Sequence, residues 1–202
     1  MLRLLLALLV LLDGGLCYAV LVDGQEFYRE NGLMENLQAL LLVMGILVFA
    51  FYGFSLQGRD RVLSAFFSLL CFIFLFRELD VDRMADVPQI LVFLMADNRG
   101  RAIFVLAELV LLVMLAKDFR HFLTCRSLYL RSNLFLFLAL SAVLLLVFSN
   151  LFDRKWVRLH PQAFFEEITE VTAYYFLFMA AVMSRSELRS IAAASSSRSE
   201  SR

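Results

Sequence analysis

The chain is dominated by long runs of apolar residues, and the length of these runs limits the folds open to it. Hydrophobic residues make up 61% of the 202 residues, and only two prolines interrupt them. Each run approaches the ~20 residues that a helix needs to cross the ~30 Å hydrocarbon core of a bilayer. The sequence therefore predicts an all-α polytopic membrane helix bundle of about six transmembrane helices, at approximately 4–22, 37–56, 62–79, 102–117, 134–152 and 163–183.

The first apolar run admits two interpretations. Arg3 precedes the apolar stretch 4–12 and small residues follow it, as in a secretory signal peptide. Asp13 interrupts the pattern, however, and apolar residues resume through Val22. We expect a retained helix, and a cleaved signal peptide is the alternative.

Basic residues indicate the orientation of the bundle, because cytoplasmic loops carry an excess of Lys and Arg. Placing both the N-terminus and the C-terminus in the cytoplasm puts eleven of the 19 basic residues on that side. The opposite face is then net negative, although the basic loop at 153–158 lies there against the rule. This distribution predicts a multi-pass protein of the bacterial inner (cytoplasmic) membrane.

Two segments fall outside the predicted spans. Residues 87–95 are apolar but too short to cross, so an interfacial or re-entrant helix and a buried extracytoplasmic loop are both open. Residues 190–202 are rich in serine and arginine, which predicts a disordered cytoplasmic tail after a bundle at 1–189. Because the basic residues lie in loops and are explained by topology, nucleic acid is not an expected partner.

Polar side chains gather at the outer ends of three predicted spans. The second span begins with polar residues, the third ends in Phe-Arg-Glu-Leu-Asp, and the sixth begins with three glutamates. These groups share one depth, which predicts a polar pocket in the outer leaflet. Its main residues are Glu35, Arg77, Glu78, Glu108, Glu166 and Glu170, and its secondary residues are Asp13, Gln38, Arg101, His160 and Glu167.

The depth of a carboxylate decides whether it needs a partner. An ionised carboxylate facing lipid costs at least ~2.5 kcal/mol near the bilayer centre, so Glu108 and Asp13 should face the bundle interior or be protonated. Glu170 lies one turn deeper than Glu166 and Glu167, and the three can share one helical face. Crowding of like charges and desolvation on such a face would raise the pKa of at least one carboxylate unless a cation lies among them.

Several cations could occupy this position. Arg77 lies at the same depth, and its guanidinium can bind two carboxylates, so it is the first candidate and Arg101 the second. A shared proton or a hard divalent cation such as Mg²⁺ or Ca²⁺ is the external alternative, since these metals prefer oxygen ligands. His160 precedes the acidic turn and could reach it, but a solvated interfacial histidine is favoured. No cofactor is identified.

A simpler interpretation exists for the shallow glutamates. Glu35, Glu166 and Glu167 lie in first helical turns, where a negative charge complements the helix dipole by ~0.3 to 1 kcal/mol. Glu170 and Glu108 lie too deep for this explanation.

The motifs at 35–38, 76–80 and 166–170 are also those by which the chain resembles uncharacterised small inner-membrane proteins of proteobacteria. That resemblance implies a six-helix topology and no activity.

Three function classes follow. The first is an integral membrane protein whose pocket binds or moves a small cationic or zwitterionic ligand, a lipid headgroup or an ion. The second is an accessory or assembly subunit, in which the same charges hold the helices together or pair with a membrane-protein partner. An enzyme acting on lipid ranks third, because no pair of nucleophile and base is visible in the sequence.

Overall fold

The computed structural model describes residues 2–23, 32–79, 98–149 and 162–200, and this part of the chain is all-helical. Two of its helices are long and apolar enough to cross a membrane, at Leu2–Leu21 and Leu33–Ser55. The predicted all-α class is therefore confirmed, whereas the arrangement of six spans stays a prediction. The helices are α1 (Leu2–Asp23), α2 (Leu33–Ser55), α3 (Gly58–Glu78), α4 (Asn98–Lys117), α5 (Phe119–Thr124), α6 (Arg126–Arg131), α7 (Asn133–Val143) and α8 (Gln162–Glu200).

The hairpin of α2 and α3 is closely packed through small side chains. Its turn ends at Gly58, whose φ of 58° is a conformation that favours glycine. A Cβ added at Gly45 would lie 3.3 Å from the Cys71 Sγ, so the two helices touch there. Between this contact and the turn, the Ser64 hydroxyl of α3 donates to the Phe49 carbonyl oxygen of α2 at 2.7 Å. Small residues and interhelical hydrogen bonds are the means by which helices associate in lipid.

The last helix, α8, lies at the centre of the bundle. It packs against α1, α2 and α7, and Val171, Ala173, Met179 and Ala180 are completely buried. Such burial on several faces explains why the sequence of α8 shows no clear apolar stripe. At ~1.5 Å per residue, its 39 residues extend well beyond the ~30 Å of a hydrocarbon core.

Helix boundaries differ from the prediction at several places, and α3 and α4 begin at Gly58 and Asn98 rather than at residues 62 and 102. Helix α2 begins at Leu33 rather than at residue 37, which places Glu35 in its first turn. The predicted span 134–152 divides into α7 and a π-helical segment at Leu144–Ser149. The prediction of a disordered tail from residue 190 is wrong as far as Glu200, because α8 continues that far; alanines 192–194 favour helix there. The segment 87–95 lies outside the described residues.

Candidate functional site

Three helix ends meet at one end of the bundle, which we call the carboxylate end: the start of α2, the end of α3 and the start of α8. The Gln38 Nε2 of α2 donates to the Glu167 Oε2 of α8 at 2.8 Å. Arg77 of α3 contacts Glu170 of α8. These three helix ends, which the sequence predicts to lie at one depth, therefore contact one another in the structure.

Arg77 links two carboxylates. Its Nη2 donates to the Glu170 Oε1, and its Nε donates to the Glu78 Oε1 at 2.9 Å. Both glutamate side chains are only 8% exposed, whereas the Arg77 side chain is 50% exposed. The pairing of Arg77 with Glu170, expected from their depth, is confirmed. The guanidinium thus joins a buried acidic layer to the surface.

Tyr174 completes this cluster and was not predicted. Its hydroxyl donates to the Glu78 Oε1 at 2.7 Å, and the residue is 1% exposed. Tyr174 follows Glu170 by four positions, so both side chains project from one face of α8. That spacing is the signal in the sequence that could have identified it.

Gln38 and Glu167 form a second contact beside the first. Gln38 is fully buried, and its Nε2 also approaches the Glu167 carbonyl oxygen at 3.4 Å. Its Oε1 is buried without a hydrogen bond in the described part of the chain. Glu167 interacts electrostatically with three other carboxylates, those of Glu35, Glu78 and Glu170. Four carboxylates are therefore electrostatically coupled at this end.

The two remaining shallow glutamates lie at helix starts. Glu35 is half-buried in the first turn of α2, and Glu166 is half-buried near the start of α8. Both positions agree with the dipole interpretation. The coupling of Glu35 to Glu167 also brings it within range of the cluster.

Asp13 faces the bundle interior, as predicted. Its two carboxylate oxygens each lie 3.4 Å from the Thr172 Oγ1, at the outer limit of a hydrogen bond. The same hydroxyl donates to the Ile168 carbonyl oxygen at 2.7 Å, which is its stronger bond. The contact places α1 beside α8 at the turn that carries Glu170 and Tyr174, and it adds no donor to the cluster.

Glu108 is half-buried with buried carboxylate oxygens, and it lies apart from the cluster. Both of its carboxylate oxygens lack a hydrogen bond within the described residues. The group is close enough to Cys71 for its charge to act on that thiol. Its predicted inward orientation agrees with this position, whereas contact with Arg77 or Glu170 is not observed.

A cavity of about 190 Å³ opens beside Arg77, between α3 and α4. Arg77 and Arg101 both line it, and the aromatic rings of Phe76 and Phe104 form an edge-to-face pair in its wall, 4.9 Å between centroids. Arg77 and Arg101 thus both border one small space with aromatic walls. Such a space can receive an anionic group.

Metal binding was an open alternative in the sequence. Within the described residues, no group of three or more His, Cys, Asp or Glu side chains is arranged to hold a metal ion. His160, the predicted secondary ligand, lies outside those residues.

The other end of the bundle holds a pair that the sequence interpretation missed. The Cys125 Sγ lies 3.9 Å from the His121 Nδ1, and the two residues are four positions apart. Burial is the main cause that lowers the pKa of His121. Cys125 is 5% exposed, so its thiol is closed to solvent. The spacing alone could have indicated this pair.

The sequence segments at 35–38, 76–78 and 166–170 supply the residues that come together at the carboxylate end. No protein-family model, curated protein or solved structure matches this chain.

Proposed function

We propose that this chain is a multi-pass protein of the bacterial inner membrane with six spans, and that its carboxylate end binds the headgroup of a zwitterionic phospholipid. In this arrangement both termini lie in the cytoplasm, α1 is retained, and the carboxylate end lies in the outer leaflet.

The surface of α4 supports the membrane placement. Ile103, Leu106, Leu109 and Val113 are each more than half exposed, and further large apolar side chains on this helix are exposed beside them. A soluble monomer rarely exposes so broad an apolar surface, whereas a lipid-facing helix must. The 20 residues of α4 span ~30 Å, which matches the hydrocarbon core.

The half-exposed Arg77 is the observation that carries the binding proposal. Glu78 and Glu170 hold one side of its guanidinium, while the cavity shared with Arg101 lies on its exposed side. A guanidinium presents five N–H donors, of which the two carboxylates use two. The remaining donors suit a phosphate, which guanidinium groups bind in a forked geometry.

The excess of carboxylates around Arg77 supports a zwitterionic rather than a purely anionic headgroup. The charges of Glu35, Glu78 and Glu170 each act on Glu167, so an ammonium group placed beside these carboxylates would be stabilised. The cavity volume of about 190 Å³ is below the ~300 Å³ of typical small-molecule sites, which favours a headgroup over a larger solute.

Thermal unfolding of the purified protein in detergent tests this proposal. Short-chain phosphatidylethanolamine should raise the melting temperature saturably, and the part of the response that depends on Arg101 should be smaller for short-chain phosphatidylglycerol. Arg101→Gln should abolish most of the phosphatidylethanolamine response, because Arg101 lines the cavity. This residue is exposed, so we expect the variant to fold.

Arg120→Gln is the matched control, since Arg120 is exposed in α5 at the opposite end of the bundle. It should leave the lipid response unchanged. Equal Arg101-dependent responses to both lipids, or an Arg101→Gln variant that responds to phosphatidylethanolamine like the wild type, would contradict headgroup binding here.

A second candidate is an accessory or assembly subunit with a structural charge network. It is favoured by the hydrogen bonds of Tyr174 and Gln38, which run between helices and end on carboxylates of the bundle itself. Gentle solubilisation followed by mass spectrometry tests it. A stoichiometric membrane-protein partner that is lost in Arg77→Gln would favour this function over lipid binding.

A further inference from the structure

A larger cavity of about 320 Å³ lies at the opposite end of the bundle. We call this end the basic end: the turn between α2 and α3, the end of α4, α5, α6 and the start of α7. Helix α3 contributes Leu63 and Phe67 to the wall, and α7 contributes Leu134 and Leu138. The volume is within the ~300–1,000 Å³ of ligand sites, and the walls are almost entirely apolar.

Two polar side chains of α6 line the same cavity. Arg126 is exposed and makes no ion pair within the described part of the chain. Tyr129 is half-buried, and burial raises the pKa of its phenol to about 12. The phenol therefore remains a hydrogen-bond donor at neutral pH. A cation and a donor beside an apolar cavity suit an anionic amphiphile.

The surroundings of the cavity have the same electrostatic preference. Lys117, Arg120 and Arg131 are exposed on the same stretch of chain, whereas Asp118 is the exposed acidic residue there. Basic residues near an anionic membrane surface attract its lipids. The charge of this end thus complements an acidic headgroup.

We propose that one acyl chain of an anionic phospholipid from the adjoining leaflet occupies this cavity, with its phosphate at Arg126 and a hydrogen bond from Tyr129. The occupant is an intact lipid, because the cavity wall is almost entirely apolar and suits an acyl chain, whereas Arg126 on the short helix α6 suits a phosphate. This site depends on the membrane placement proposed above, but not on headgroup binding at the carboxylate end.

Fluorescence quenching by lipids with brominated acyl chains tests the proposal in nanodiscs. The chain has a single tryptophan, Trp156, and Trp156→Phe removes its signal. Phe135→Trp then places a reporter in the cavity wall at a residue that is 42% exposed. Leu109→Trp on α4 is the control for lipid that merely surrounds the protein, and Leu130→Trp is a second cavity reporter if the first variant does not fold.

Brominated phosphatidylglycerol should quench the cavity reporter at a mole fraction roughly fivefold lower than brominated phosphatidylcholine does, because one basic residue near the surface favours anionic lipid by about that factor. Arg126→Gln should remove most of this preference, whereas Arg120→Gln should retain most of it, because Arg126 lines the cavity and Arg120 does not. Equal quenching by the two lipids, or a preference that largely survives Arg126→Gln, would overturn the site. A Leu109 reporter quenched by neither lipid would instead overturn the membrane placement.

Discussion

Removing Arg77 should destabilise the protein more than any other single change at the carboxylate end. Arg77→Met leaves Glu170 without its guanidinium and Glu78 with only the Tyr174 hydroxyl, while both carboxylates remain almost fully buried. Methionine keeps most of the aliphatic length of arginine, so the change tests the charge rather than the packing.

The expected cost follows from the contacts. Each hydrogen bond between charged groups contributes ~1.5 to 3 kcal/mol, and Arg77 makes two. Because the guanidinium is half exposed, water screens part of this interaction, and we expect a loss near the lower bound, about 3 kcal/mol. Glu170→Gln keeps an oxygen acceptor and should cost about 1.5 kcal/mol.

A double-mutant cycle separates the pair from its surroundings. The combined Arg77→Met and Glu170→Gln variant should be more stable than the sum of the single losses by about 1 to 2 kcal/mol, since residues in one charge network couple by such amounts. The assay is unfolding by SDS in mixed micelles, followed by far-UV circular dichroism. Arg120→Met, on the exposed surface of α5, should change stability by less than ~0.5 kcal/mol. Single losses that add within ~0.5 kcal/mol would refute the pairing as an energetic unit.

Three further changes test other parts of the structure. Tyr174→Phe should cost ~1 to 3 kcal/mol in the same assay, because it removes a buried donor to a carboxylate; Tyr175→Phe, whose hydroxyl bonds a backbone carbonyl of α1, should cost ~1 kcal/mol. Gly45→Val should cost ~1 to 3 kcal/mol by overpacking the α2–α3 contact. Gly14→Val, with open space around it, should change stability by less than ~0.5 kcal/mol. Equal effects of the two changes would contradict the close contact between α2 and α3. Because the folded pKa of His121 is lowered, the unfolded chain takes up the proton first, so stability should fall as pH drops through the unfolded pKa of ~6.5; the melting temperature at pH 7.5, 6.5 and 5.5 should decline less in His121→Gln.

The pairing of Arg77 with Glu170 could be predicted because an ionised carboxylate inside a predicted span is costly unless it has a partner. A charge one turn inside a span is expected to face the bundle, and only basic residues at the same depth can form an ion pair with it. Depth can be counted along a sequence at a fixed rise per residue. The helix ends that meet at the carboxylate end follow from the same counting.

Rotation about a helix axis is what the sequence does not reveal. The sequence predicts that Glu108 belongs to the polar pocket because of its depth. In the structure its carboxylate instead lies close enough to Cys71 to act on that thiol. Helix α4 is apolar on most of its surface. Its sequence therefore has no apolar stripe that would predict which face packs against the bundle. Tyr174 was overlooked for a related reason: a tyrosine counts as apolar in a span until its hydroxyl is seen to have a partner.

The structural and ligand-binding interpretations of the carboxylate end meet in one guanidinium. Glu78 and Glu170 orient Arg77 by two of its donors, and the remaining donors are available on its exposed side, where Arg101 lines the same cavity. A variant that loses Arg101 should therefore lose the lipid response at unchanged stability, whereas Glu170→Gln should lower both, because the orienting contact serves the site and the fold together. A purely structural network would show the second effect without any lipid response to lose. The comparison of these two variants distinguishes a bundle that is merely held together by its charges from one in which those charges prepare a binding site.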